Sequence, residues 1–142
     1  MPNIYHNVLE IYGSEQDLSS FKVWFDAEGI NFTTRYEDIQ LVSHKGKKLI
    51  FSTRTIRQPP FKFIDEVPEK FPNLLFALGY RSFDDYIEGK IIKRKSQIYY
   101  DFSLPILSEL FPFDQKNAKS FSYLVDRVYK RVLRVAKSQL NS

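Results

Sequence analysis

The run Leu74-Leu75-Phe76-Ala77-Leu78-Gly79-Tyr80 is almost wholly apolar, with no residue between Leu74 and Leu78 that prefers water. A strand of that composition has no polar face to turn outward, so it belongs in the middle of a sheet with cover on both sides. Upstream, Pro59-Pro60 opens a segment from Phe61 to Phe71 whose Phe61, Ile64 and Phe71 fit a short helix interrupted near Pro68. Before it, Leu49 to Thr55 reads as a clear strand, and Lys45-Gly46-Lys47 as the turn that feeds it. Two further short strands are expected at Ile30 to Tyr36 and Asp38 to Ser43. Asn7 to Tyr12 has strand composition and stops at Gly13. Ser14 then has the N-cap residue type with Asp17 three positions on, and Leu18, Phe21, Trp24 and Phe25 give the following helix an apolar face that ends at Gly29.

Downstream, Glu88 to Tyr100 reads as one long strand with a bulge or turn in its cationic run. The order strand, helix, strand, helix, strand, strand is that of an α+β fold of the ferredoxin-like split βαβ kind, with an antiparallel sheet, an insertion after the first helix and an extra C-terminal helix. The expected sheet has four strands near 7–12, 49–55, 74–80 and 88–100, with helices on one face. Phe102 to Phe113 is too apolar for a disordered linker and is expected to pack on the sheet. The 142 residues suit a single domain, with a core over 1–101 and a C-terminal Pro- and Phe-rich segment plus basic helix over 102–142.

That last helix carries two separate rows. Phe121, Leu124, Val125, Val128, Val132, Val135 and Ala136 recur at three- and four-residue steps, and its docking face is expected to run through Phe121, Leu124, Val128 and Val132. Arg127, Lys130, Arg131, Arg134 and Lys137 recur at the same steps on another face. From Gln115 to Ser142 seven Lys or Arg stand against one acid, Asp126, whereas Met1 to His44 holds seven acids against Lys22 and Arg35. The chain is polarised, and its net +4 understates the contrast. Two more cationic clusters lie between, at Lys45, Lys47 and Lys48 and at Lys90, Lys93, Arg94 and Lys95. Each cluster taken alone also reads as a solvated turn, and cations in a last helical turn complement the helix dipole.

The opening Met1-Pro2-Asn3 with Asn7 and Gly13, Phe51-x-Thr53 leading into Pro59-Pro60, Phe71-Pro72-Asn73-Leu74 with Phe76 and Tyr80, and the later Gly89 resemble the YubB-type ferredoxin-like domain of phage and plasmid proteins over about residues 1 to 100. Where that family has a Trp-Cys pair after the tripeptide and a Trp before the Pro pair, this chain has Ile4-Tyr5 and Thr55-Ile56-Arg57-Gln58. The resemblance implies a small accessory protein of a mobile genetic element. It carries no activity over to particular residues.

Catalytic chemistry has little footing in the sequence. The absence of cysteine excludes disulfides, thiolate nucleophiles and Cys-ligated metal. His6 and His44 are not spaced as metal ligands, and the adjacent acids Asp65-Glu66 and Asp84-Asp85 diverge in any regular element, which favours turn or cap roles. No phosphate loop, dinucleotide turn or nucleophile elbow occurs. The expected function is therefore non-enzymatic, without cofactor or metal, in the cytoplasm of a bacterial host. There the Arg127, Lys130, Arg131, Arg134, Lys137 row binds an acidic surface on a host or defence-complex protein and inhibits or regulates it. The alternative is a nucleic-acid-binding module in which Tyr86, Tyr99 and Tyr100 stack bases beside Lys90, Lys93, Arg94 and Lys95. Neither membrane association nor a signal sequence is expected from the N-terminus.

Overall fold

The computed structural model describes residues 3–28, 36–106 and 115–141. Six strands form one antiparallel sheet: β1 (Ile4–Tyr12), β2 (Tyr36–Lys45), β3 (Lys48–Ile56), β4 (Leu75–Ser82), β5 (Ile87–Arg94) and β6 (Gln97–Pro105), in the order β2-β3-β1-β4-β5-β6. Helix α1 (Glu15–Glu28) follows β1, α2 (Phe61–Lys70) follows β3, and α3 (Gln115–Ser138) closes the chain with a short 3-10 turn, Gln139–Asn141.

The expected elements at 7–12, 49–55 and 74–80 are strands β1, β3 and β4, and the Ser14 cap forms as read. Its Oγ accepts from the Asp17 backbone N–H at 3.1 Å and donates to the Asp17 carboxylate at 2.8 Å. Four points differ from the sequence expectation. The sheet has six strands rather than four. The stretch 88–100 is two strands, because the chain reverses at Lys95-Ser96 with Lys95 at φ 55°. The strand expected at 38–43 forms as part of β2, but instead of standing apart as an insertion it joins the sheet as the edge strand beside β3, with two irregularities in its pairing. Helices cover both faces of the sheet. The expected strand at 30–36 falls almost entirely outside the described residues, as does 107–113 of the Pro- and Phe-rich passage; residues 102–105 belong to β6 and Ile106 is buried. Pro68 does not stop α2, which runs on to Lys70 with the proline ring buried in the core.

Alternation along the central strands explains the double cover. On one face Leu9, Ile11, Phe51, Phe76 and Leu78 meet Leu18 and Phe21 of α1 and Phe63, Ile64 and Val67 of α2. Phe21 is fully buried there, with the rings of Trp24, Phe25, Phe51, Phe63, Phe71 and Phe76 at centroid distances of 5.2–6.4 Å. At such separations and tilts ring pairs add roughly 0.5–1.5 kcal/mol each beyond their buried area. On the opposite face Tyr12, Leu75, Ala77 and Ile92 meet Tyr129 and Ala136 of α3. Phe76 and Leu78 thus face one core while Leu75 and Ala77 face the other, which is why the run at 74–80 has no polar side.

The charges follow the same division. The helices of the first face expose Glu15, Asp26, Glu28, Asp65, Glu66 and Glu69 against Lys62 and Lys70, while among the described side chains of α3 Arg127, Lys130, Arg131, Arg134 and Lys137 are exposed on the other.

Candidate binding surface on the C-terminal helix

Which side of α3 meets the sheet decides what its cations can reach. Tyr129 and Ala136 are buried, with Val132, Leu133 and Leu140 packed beside them. Leu124 and Val128, expected to dock, are instead 57% and 54% exposed, and Val135 is 52% exposed; the side chain of Phe121 lies outside the described residues. The helix is turned so that the Tyr129 ring sits edge-on to Tyr100 at 5.5 Å and beneath the Lys90 ammonium at 4.3 Å. Burial pushes the Tyr129 phenol well above its ordinary range.

The rotation leaves a second apolar stripe in water. At about 100° per residue, Leu124, Val128, Arg131 and Val135 fall within about 60° of arc on one flank of the docked face. Arg127 continues that flank, its guanidinium 5.7 Å from the ring centre of the exposed Tyr123. Lys137 lies on the opposite flank, Arg134 projects within about 20° of Arg127 but with Lys137 lines a groove at the end of the sheet, and Lys130 pairs with Asp126 at 2.9 Å. The five cations of the sequence row are all exposed, but they serve two different surfaces.

The basic and aromatic residues of 86–99 are not brought together. Tyr86 is exposed in the β4–β5 turn, and Lys95 in the β5–β6 turn at the opposite end of β5. Lys90 lies against Tyr129 on the α3 face. Lys93 is buried on the other face, donating to the Asp65 carbonyl of α2 at 3.1 Å. Arg94 donates to the carbonyls of Pro72 and Gln139, and the Tyr99 hydroxyl donates to Gln139 Oε1 at 2.8 Å.

Two grooves flank α3. One, of about 460 Å³, is floored by Val8, Gly79, Phe102 and Leu104. It carries two ion pairs, Arg81 with Glu88 at 2.6 Å and Asp126 with Lys130, and the Lys90 ammonium over the Tyr129 ring. The other, of about 450 Å³, lies at the sheet end and gathers Lys47, Arg94, Arg134 and Lys137.

The acidic pairs have structural work. In the β4–β5 turn, the Asp84 carboxylate accepts the Ile4 N–H at 3.0 Å, and Asp85 accepts the Asn3 amide and the Tyr5 hydroxyl, tying β1 to that turn. Asp65 and Glu66 are exposed on α2, and His6 and His44 are exposed on strands. Among the described residues no three His, Asp or Glu side chains gather as metal ligands, and no helix is long and apolar enough to cross a membrane. No protein-family model matches the chain, nor does any curated protein or solved structure.

Proposed function

We propose that the protein is a non-enzymatic accessory factor that works by docking the outer flank of α3 on an acidic surface of another protein. The observation that carries this reading is the exposed stripe of Leu124, Val128 and Val135 running beside Arg127 and Arg131. Three aliphatic side chains more than half exposed on one strip of helix gain nothing in the monomer, and a phosphate backbone would give them nothing either. A protein surface with a shallow apolar patch bordered by carboxylates satisfies both the stripe and the arginines. Arginine is a favoured interface anchor, and opposed charge at the rim speeds the encounter. The resemblance to YubB-type domains gives the setting, a phage or plasmid protein acting on a host or defence-system protein in the bacterial cytoplasm. The finer fold reading has support of the same kind: β2-β3-β1-β4 with α1 and α2 on one face follows the ferredoxin-like order, with β5 and β6 added beside β4.

The test uses two variants of one surface. Capture from a bacterial lysate, with and without nuclease treatment, is compared among the native chain, Leu124→Ser with Val128→Ser, and Arg127→Glu with Arg131→Glu. One acidic protein is expected to be retained by the native chain and lost from both variants, each of which stays folded. Retention by both, or loss only on nuclease treatment, rejects the reading; the latter result favours the nucleic-acid alternative, whose signature is a steep fall of affinity with salt.

A further inference from the structure

The three cationic clusters lie far apart in the chain, yet each sends a member to the groove at the sheet end: Lys47 from the β2–β3 turn, Arg94 from the end of β5, Arg134 and Lys137 from α3. One carboxylate lines the groove with them, Asp17, and it is engaged by the Ser14 hydroxyl as part of the α1 cap. None of the four cations enters an ion pair among the described residues.

Two of them are held in place by neutral groups. Arg94 donates from Nε to the Pro72 carbonyl at 3.1 Å and from Nη1 to the Gln139 carbonyl at 3.4 Å. The Lys137 ammonium sits 4.5 Å from the centre of the Tyr12 ring. Carbonyl oxygens and a ring face fix a cation's position without cancelling its charge. Folding therefore gathers four like charges around one polar cavity, a cost that a multiply charged anion would offset through charge-assisted hydrogen bonds. A space of about 450 Å³ is far more than one phosphate needs and matches the size of small-molecule sites.

We propose that this groove binds a small molecule carrying an oligophosphate chain, with Arg134 from α3 and Lys47 from the β2–β3 turn meeting the phosphates together with the positioned Arg94 and Lys137. The shared chemistry is the phosphate chain, whether free or borne by a nucleoside. The site goes beyond the docking surface and uses none of its residues, Leu124, Arg127, Val128, Arg131 and Val135.

The test is a calorimetric titration of the full chain with tripolyphosphate, with ATP and with AMP, beside thermal melting with each probe and with sodium chloride at matched ionic strength. Saturable binding of tripolyphosphate and ATP is expected, with a raised melting midpoint that sodium chloride does not reproduce. AMP should bind at least about tenfold more weakly, since it presents a single phosphate. Equal affinity for tripolyphosphate and ATP identifies the bare chain as what is recognised, and tighter ATP identifies a nucleotide. Lys47→Gln with Arg134→Gln, both exposed positions, should weaken binding by at least about tenfold with folding intact, while Arg127→Glu with Arg131→Glu should bind like the native chain. The proposal is overturned by an absence of saturable heat, by a midpoint shift that sodium chloride matches, or by unchanged binding in the Lys47/Arg134 variant. A ten-nucleotide single strand binding about tenfold more tightly than ATP, and weakened by the Arg127/Arg131 reversal, also overturns it, in favour of an extended nucleic-acid surface.

Discussion

A methyl group placed at Gly89 would lie 2.3 Å from the Tyr80 hydroxyl oxygen, 2.4 Å from Cζ and 2.9 Å from Ser103 Cβ. Gly89 pairs with Tyr80 on one side and Ser103 on the other, so the Tyr80 ring crosses the bare backbone of β5. Gly89→Ala forces that buried ring aside and is expected to cost about 1–3 kcal/mol, read as a lowered midpoint in urea. Shortening Tyr80 to Leu in the same chain should recover part of that loss. A glycine at this point was visible in the sequence, but the ring that requires it was not, because Tyr80 reaches it only once β4 and β5 pair. Turn residues were harder still. Arg57, Tyr86 and Lys95 all adopt positive φ although none is Gly or Asn. With no Gly, Asn or Pro to mark it, the irregularity expected in the cationic run could not be told from a bulge, and the two strands that meet at Lys95-Ser96 read as one.

At the scale of elements, α3 gives the clearest expectation. Leu124→Ala and Val128→Ala should each change stability by no more than about 0.5 kcal/mol, because both side chains already stand in water. Tyr129→Ala should cost about 3 kcal/mol or more through the ring it removes from the second core. Chemical denaturation of the three variants decides it, and a large loss at Leu124 would place the docked face where the sequence expected it. Periodicity located this helix but not its rotation. Apolar residues cover about half its circumference, so the stripe has no sharp centre, and the tyrosine that marks the buried side counts as polar in such a reading. The first helix was legible to its cap because Ser14, Asp17 and the Leu18–Phe21–Phe25 spacing are all local. The sheet-end groove was not, for the opposite reason: each of its cations was conspicuous, but only strand pairing and the docking of α3 bring them together.

Across the whole molecule, tyrosines set the alkaline limit. Burial raises the phenols of Tyr5, Tyr12, Tyr80, Tyr100 and Tyr129, and the carboxylates of Asp85 and Glu10, which accept the hydroxyls of Tyr5 and Tyr12, act in the same direction. The unfolded chain releases these protons near pH 10 while the folded chain keeps them. Stability is therefore complete below that pH and falls as pH rises above it, since there the unfolded state binds fewer protons. The melting midpoint should decline steeply above about pH 10, and Tyr12→Phe with Tyr129→Phe should flatten the decline; equal slopes in the variant and the native chain would rule this out. The two-sided sheet has one more consequence. Trp24, the single tryptophan, packs beside Phe21 and Phe71 in the α1 and α2 core, while no tryptophan lies on the α3 face. Its emission is thus a reporter for one half of the protein. If α3 lifts off before the sheet melts, ellipticity will fall while fluorescence stays native, and the gap between the two curves will give the free energy with which the basic helix is held.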